Sequence, residues 1–161
     1  MTTAEKLVKV LTEKKLACAT AESCTGGGVG YAITAVSGSS AVFWGGVISY
    51  DNSVKHRVLD VPEEILATKG AVSPECAAAM AEGARRLLKT DLAVSITGIA
   101  GPGGATVGKP VGLVFAAIRY RGKTEVFELR LRRTREQIRE RAVAGAFFRL
   151  RAMILASENE A

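Results

Sequence analysis

Between Ser39 and His56 the chain reads SSAVFWGGVISYDNSVKH, which supplies Ser39 or Ser40, Tyr50 and Lys55 within one short stretch. These are the residue types of a serine hydrolase that uses lysine as its base. A free lysine is protonated at neutral pH, with a pKa near ~10.4. Burial beside apolar groups, or a neighbouring cation, lowers that value until the neutral amine can take a proton from a serine hydroxyl. A tyrosine hydroxyl can relay the proton between them. Spacing alone does not bring the three together, because ten extended residues from Ser40 to Tyr50 span roughly 33 Å. A bend at Gly45-Gly46, an irregular start before the strand, or pairing across a dimer is required.

Other chemistries find fewer parts. His56 is the chain's only histidine, so a Ser-His-Asp triad would have to run through it and a His-based zinc site has too few ligands. Cys18, Cys24 and Cys76 are odd in number and show no CxxC spacing, which favours neither a disulfide framework nor a metal site. No metal and no cofactor is expected. Cys24 precedes a helix start, where a thiol pKa can fall, but no histidine base is placed beside it. Glu22 reads as a strand-end carboxylate capping the next helix, or as a general base. The run GGATVGK, Gly103 to Lys109, matches part of a phosphate-binding P-loop, but Pro110 stands where that motif needs Ser or Thr and extends the backbone instead of opening a helix. No choice of glycines in TGGGVGYAI gives the dinucleotide fingerprint. Two glycine loops remain. One carries Ser23, Thr25, Gly26 and Gly27 after a strand ending at Glu22; the other carries Gly98 and Gly101 after a strand ending at Thr97. Side by side at strand C-termini they would form the crevice in which open α/β sheets bind ligands.

The elements that must position these residues follow from pattern. Thr2 and Glu5 form a capping box before a helix carrying Leu7, Val8 and Leu11. LACATAE reads as a buried strand, and GGGVGYAITAV as a helix opening. AVFWGGVISY is β-rich, reads as core strand with Trp44 packed inside, and carries a bulge or bend at Gly45-Gly46. DNSVKHRVLD and VPEEILATKG are short helical segments. Ser73-Pro74-Glu75 starts a long alanine-rich helix to Leu88. DLAVSITG is a second buried strand. VGLVFAAIRY and KTEVFELRLR flank Arg121-Gly122 as a hairpin. Thr134 caps a last helix to about Ala156. The expected fold is a three-layer α/β/α sandwich with a mixed, mostly parallel sheet and a late β-hairpin, formed by residues 1–161 as one domain.

The bulk numbers narrow the partners. The 161 residues carry a net charge of +6 and 48% hydrophobic residues, as in ordinary globular proteins. No signal-peptide pattern opens the chain and no apolar run approaches the ~20 residues of a membrane span, so no membrane partner and a cytoplasmic setting are expected. From Arg119 to Arg151 there are eleven Lys or Arg against four Glu. That excess suits a solvated helix face first, a small anionic substrate next, and nucleic acid third, since few aromatics stand free to stack bases.

AESCTGG (Ala21–Gly27), GSSAVFWGGVISYDNSVK, GAVSPECAAAMAEGA and SITGIAGPGGATVGKPVG (Ser95–Gly112) together resemble the CinA carboxy-terminal domain family. The likeness runs in order over nearly the whole chain and is to the stand-alone form, without the amino-terminal domain of longer CinA proteins. The resemblance implies an α/β/α sandwich, often a homodimer or higher homo-oligomer, that hydrolyses the carboxamide of nicotinamide mononucleotide to nicotinate mononucleotide and ammonia without a metal. It implies Ser40, Tyr50 and Lys55 as the catalytic Ser, Tyr and Lys, and Thr97 at the substrate. It also implies an arginine near the start of the last helix, where RRTREQIR departs from the Gly-Asp-Arg of relatives and leaves Arg135 and Arg139 as candidates. Two other readings stay open: a non-catalytic nucleotide-binding module of the same fold, and a competence-linked DNA-associated protein.

Overall fold

The computed structural model describes residues 1–160. The sheet has the order β2-β1-β3-β4-β5, from β1 (Cys18–Glu22), β2 (Phe43–Ile48), β3 (Leu92–Gly98), β4 (Leu113–Tyr120) and β5 (Lys123–Arg130). β1 pairs in parallel with β2 and β3, while β3–β4 and β4–β5 are antiparallel. The sheet is mixed as expected, with two pairings of each kind and not a parallel majority. The physical reason is that no crossover helix joins β3 to β4: the connecting loop returns the chain at the same end of the sheet and makes that pair antiparallel. The expected hairpin at Arg121-Gly122, both at positive φ, adds the second antiparallel pair. β1 and β3 are buried along almost their whole length, as strands covered on both faces must be.

Helices cover both faces. On one side lie α1 (Thr3–Lys14), α2 (Gly28–Thr34) and α6 (Arg135–Ala156), whose Leu7, Leu11, Ile33, Ala142 and Leu150 close over Val94, Ile96 and Ile118. On the other lie α3 (Asn52–Leu59), α4 (Glu63–Thr68) and α5 (Pro74–Leu88). There Met80 and Ala84 of α5 meet Ala19, Ala21 and Ala93 of the sheet, with Leu59 of α3 in the same cluster. Small residues set these distances. A Cβ on Gly83 would lie 2.0 Å from the Leu59 carbonyl oxygen, so α5 packs directly against the end of α3, the helix that carries Lys55.

β2 is an edge strand, and here the sequence expectation changes. The register with β1 jumps from Cys18↔Phe43 to Ala19↔Gly45, which makes Trp44 the extra residue of the bulge. Trp44 is 58% exposed and is not core. Gly46 permits the pairing that follows, since a Cβ there would lie 2.0 Å from Thr20 Oγ1. The chain passes from β1 through α2 to β2 on one side, and from β2 through α3–α5 to β3 on the other. The C-terminal ends of β1, β2 and β3 therefore open on one crevice at the switch in strand order.

Candidate active site

Three chain segments leave the sheet at that crevice. Glu22 ends β1 and is buried; its carboxylate accepts from the Thr25 hydroxyl at 2.7 Å, Val29 N–H at 2.8 Å and Gly30 N–H at 3.1 Å. It thus anchors the turn that carries Ser23 and caps α2, in place of the general base it could also have been. Ile48 lies opposite Glu22 in the ladder, so Ser23 and Ser49 leave the sheet side by side. Asp51 then caps α3 by accepting from Ser53 N–H at 2.9 Å, which sets the helix phase and aims Lys55 back at the strand ends.

Lys55 is 1% exposed. Its Nζ donates to Ser49 O at 2.7 Å and Tyr50 O at 3.0 Å and lies 3.1 Å from Ser23 Oγ. No carboxylate lies within ion-pairing distance of it among the described residues. Burial pulls its pKa below the ordinary lysine value, and the weaker influences of Cys76, Asp51 and Cys24 oppose that fall. When the amine is neutral, the two carbonyls hold its two N–H groups and its lone pair faces the Ser23 hydroxyl. That is the geometry of a base bound to a nucleophile.

The cleft in front of this pair has a volume of about 330 Å³, within the range of small-ligand sites. Thr97, Gly98, Gly101, Tyr50 and Arg135 line it together with Ser23 and Lys55. Thr97 Oγ1 donates to Ala71 O at 2.9 Å and ties the end of β3 to the segment before α5. Arg135 donates to Gly101 O at 2.7 Å and to the Tyr50 hydroxyl at 3.2 Å. Arg139, one turn on, instead donates to Cys24 O at 3.1 Å and Thr25 O at 3.2 Å and does not line the cleft. Thr25, Gly26 and Gly27 build the turn behind Ser23 without facing the cleft, the two glycines at φ 58° and 102°.

Two of the sequence-derived catalytic residues sit differently from expectation. Ser40 lies in a 3-10 turn (Ser39–Ala41) before β2, whereas Tyr50 and Lys55 follow that strand. Five strand steps from Phe43 to Ile48 cover ~16 Å, so within one chain Ser40 is at the opposite rim of the sheet from Lys55. The Tyr50 hydroxyl accepts from Arg135 at the cleft mouth and the residue is 61% exposed; its carbonyl is the atom that bonds Lys55. Ser23, read from sequence as a substrate contact, is the hydroxyl that meets the lysine. Strand pairing could have pointed to it, since parallel neighbours bring successive C-terminal residues together. Asn52 and Gly103 also line the cleft, though neither stands among the sequence-derived site residues. The Cys24 thiol is pushed up to about 11 by burial and stays protonated. His56 turns away, with Nδ1 2.8 Å from Val61 O and Nε2 3.5 Å from Glu63. Among the described residues no cluster of His, Cys, Asp or Glu could hold a metal ion, and no helix is long and apolar enough to cross a membrane.

Comparison with known proteins adds the family. The profile described as the CinA C-terminal domain matches residues 1–154. A CinA-like protein of Parasynechococcus marenigrum is 54% identical over 138 residues, 84% of this chain and 33% of that protein. A putative competence-damage inducible protein of Moorella thermoacetica is 46% identical over 141 residues, 88% of this chain and 34% of that protein. The chain thus spans about a third of the length of these relatives. Among solved structures, the competence/damage inducible protein CihA of Agrobacterium tumefaciens superposes with a TM-score of 0.91 at 42% identity, covering 93% of this chain and 92% of that one. A CinA superfamily protein of Klebsiella pneumoniae gives 0.93 at 32% identity, with 96% of both chains covered.

Proposed function

The chain belongs to the CinA C-terminal domain family, and from that premise we propose that it hydrolyses the carboxamide of nicotinamide mononucleotide, with Ser23 as nucleophile and Lys55 as base. The observation that carries the chemistry is the buried Lys55 Nζ, held by two carbonyls and facing Ser23 Oγ. The substrate follows from the family resemblance, and the cleft's size and its arginine support it.

Neutral Lys55 takes the Ser23 proton as Oγ attacks the carboxamide carbon. The resulting ammonium returns that proton to the amide nitrogen, the C–N bond breaks and ammonia leaves. Lys55 then deprotonates a water, which attacks the acyl ester; Ser23 recovers its proton as nicotinate mononucleotide departs. The Cys24 N–H, next in chain to the nucleophile, is a candidate to stabilise the developing oxyanion, an interaction worth ~3–4 kcal/mol. Among the described residues Arg135 has a carbonyl and a phenol as its hydrogen-bond partners, and it is the cation for the substrate phosphate. The Tyr50 ring at the mouth offers a face to the pyridinium.

The test is release of ammonia and nicotinate mononucleotide from nicotinamide mononucleotide by the purified chain. Catalytic turnover is expected; its complete absence overturns the proposal.

A further inference from the structure

The first two turns of α6 send two arginines, four residues apart, to different loops of the crevice. Arg135 reaches Gly101 and Tyr50; Arg139 reaches the two carbonyls that follow Ser23. The Thr134 capping box, with Gln137 returning the bond, fixes the start of the helix and so the phase of both side chains. Glu136 and Glu140 line the same surface hollow as Arg139, yet neither pairs with it. The guanidinium is spent on peptide carbonyls, which suits its planar fork: adjacent N–H groups bind adjacent acceptors, as a lysine ammonium does less well.

We propose that Arg139 is a positioning residue for the nucleophile: by clamping the Cys24 and Thr25 carbonyls it fixes the turn that sets Ser23 Oγ against Lys55. The turn is held from two sides. Glu22 grips its helix end through Thr25, Val29 and Gly30, and Arg139 grips its carbonyl side. Gly26 between them stands at φ 58°, where a Cβ would come 3.4 Å from Arg139 Nη2, so the guanidinium packs directly on the turn. With Arg139 removed, the segment between β1 and the Glu22 anchor loses both side-chain restraints on its carbonyls. Ser23 then samples orientations that miss the Lys55 lone pair, and an error of about 1 Å can cost ~100-fold in rate. Arg139 does not line the cleft, so substrate binding is little affected.

This assignment rests on the Ser23–Lys55 reading, and the test separates the two. Arg139→Met and Arg139→Lys are compared with wild type for kcat and KM on nicotinamide mononucleotide, with backbone amide exchange followed across residues 23–28. For Arg139→Met the expected result is kcat lower by ~10–100-fold, KM within about 3-fold, and faster exchange in that segment. Arg139→Lys is expected to fall between it and wild type, and added guanidinium should restore part of the Arg139→Met rate. An unchanged kcat, or a KM raised tenfold at constant kcat, overturns the positioning role. A wild type without turnover overturns the reading beneath it, and exchange then still decides the clamp: unaltered protection of residues 23–28 in Arg139→Met refutes it.

Discussion

Replacing Lys55 with methionine keeps a chain of similar length and removes the amine. The buried Nζ serves three acceptors, Ser23 Oγ, Ser49 O and Tyr50 O. Leaving buried acceptors without donors costs ~1–3 kcal/mol each, but the substitution also removes an amine whose burial disfavours its charge. The two effects oppose, so stability should change by no more than ~2 kcal/mol, or ~4–8 °C in Tm for a chain of this size. Activity should respond far more: a positioned base contributes ~10²–10⁴-fold, so kcat should fall by that factor with the fold intact. Lys55 must be neutral to act and burial holds its pKa below the ordinary value, so wild-type kcat/KM should rise with pH through that lowered pKa and then level. The same shift affects stability. Between the folded pKa and the ordinary lysine value of ~10.4, the unfolded chain binds more protons than the folded one, so stability rises with pH across that window. Lys55→Met should lack this component. Ammonia release across pH and thermal melts of both proteins measure these effects. A folded Lys55→Met protein that keeps more than a tenth of wild-type kcat refutes the reasoning.

Three further outcomes follow from the same geometry. Arg135→Ala removes the cleft's cation and should raise KM by ~10–100-fold, the worth of a charged hydrogen bond, with a smaller change in kcat; an unchanged KM contradicts its role at the phosphate. Gly83→Ala drives a Cβ against the Leu59 carbonyl, which should destabilise by ~1–3 kcal/mol and lower Tm by roughly 3–10 °C, with loss of kcat because α3 carries Lys55; a melt equal to wild type counts against the close helix contact. With thiol pKa values pushed up by burial to about 11 for Cys24 and Cys76 and about 12 for Cys18, iodoacetamide at pH 7.5 should leave the folded chain unmodified by mass; prompt alkylation of Cys24 would point to a reactive thiol in the cleft.

The helices and the hairpin were legible because their signals are local. Capping residues Thr2, Ser73 and Thr134 stand at helix starts, and Arg121-Gly122 turns the hairpin as read. The Gly45-Gly46 irregularity is legible too, but not its consequence: whether a β-rich segment is central or at an edge depends on which strands pair, so the local pattern places Trp44 in the core while the edge position of β2 exposes it. The site divides the same way. Lys55, the cleft-lining Thr97, Gly98 and Gly101, and the two glycine loops are all legible, Ser23 among them as a substrate contact, but not that Ser23 is the lysine's partner. Ser40 is near Tyr50 and Lys55 in sequence and a whole strand away in space. Ser23 is 32 residues from Lys55 and touches it, because parallel pairing of β1 with β2 brings their exits together. Arg135 and Arg139 could not be told apart by sequence, since both point from one helix face and only the loops they meet differ.

The most direct test of the Ser23–Lys55 pair is ammonia release from nicotinamide mononucleotide by Ser23→Ala and Ser40→Ala, measured side by side on folded protein. Ser23→Ala should lose activity by at least ~10³-fold, as loss of an activated nucleophile does, while Ser40→Ala keeps activity within about 3-fold of wild type. The reverse pattern, with Ser40→Ala inactive and Ser23→Ala active, would contradict the assignment of the nucleophile.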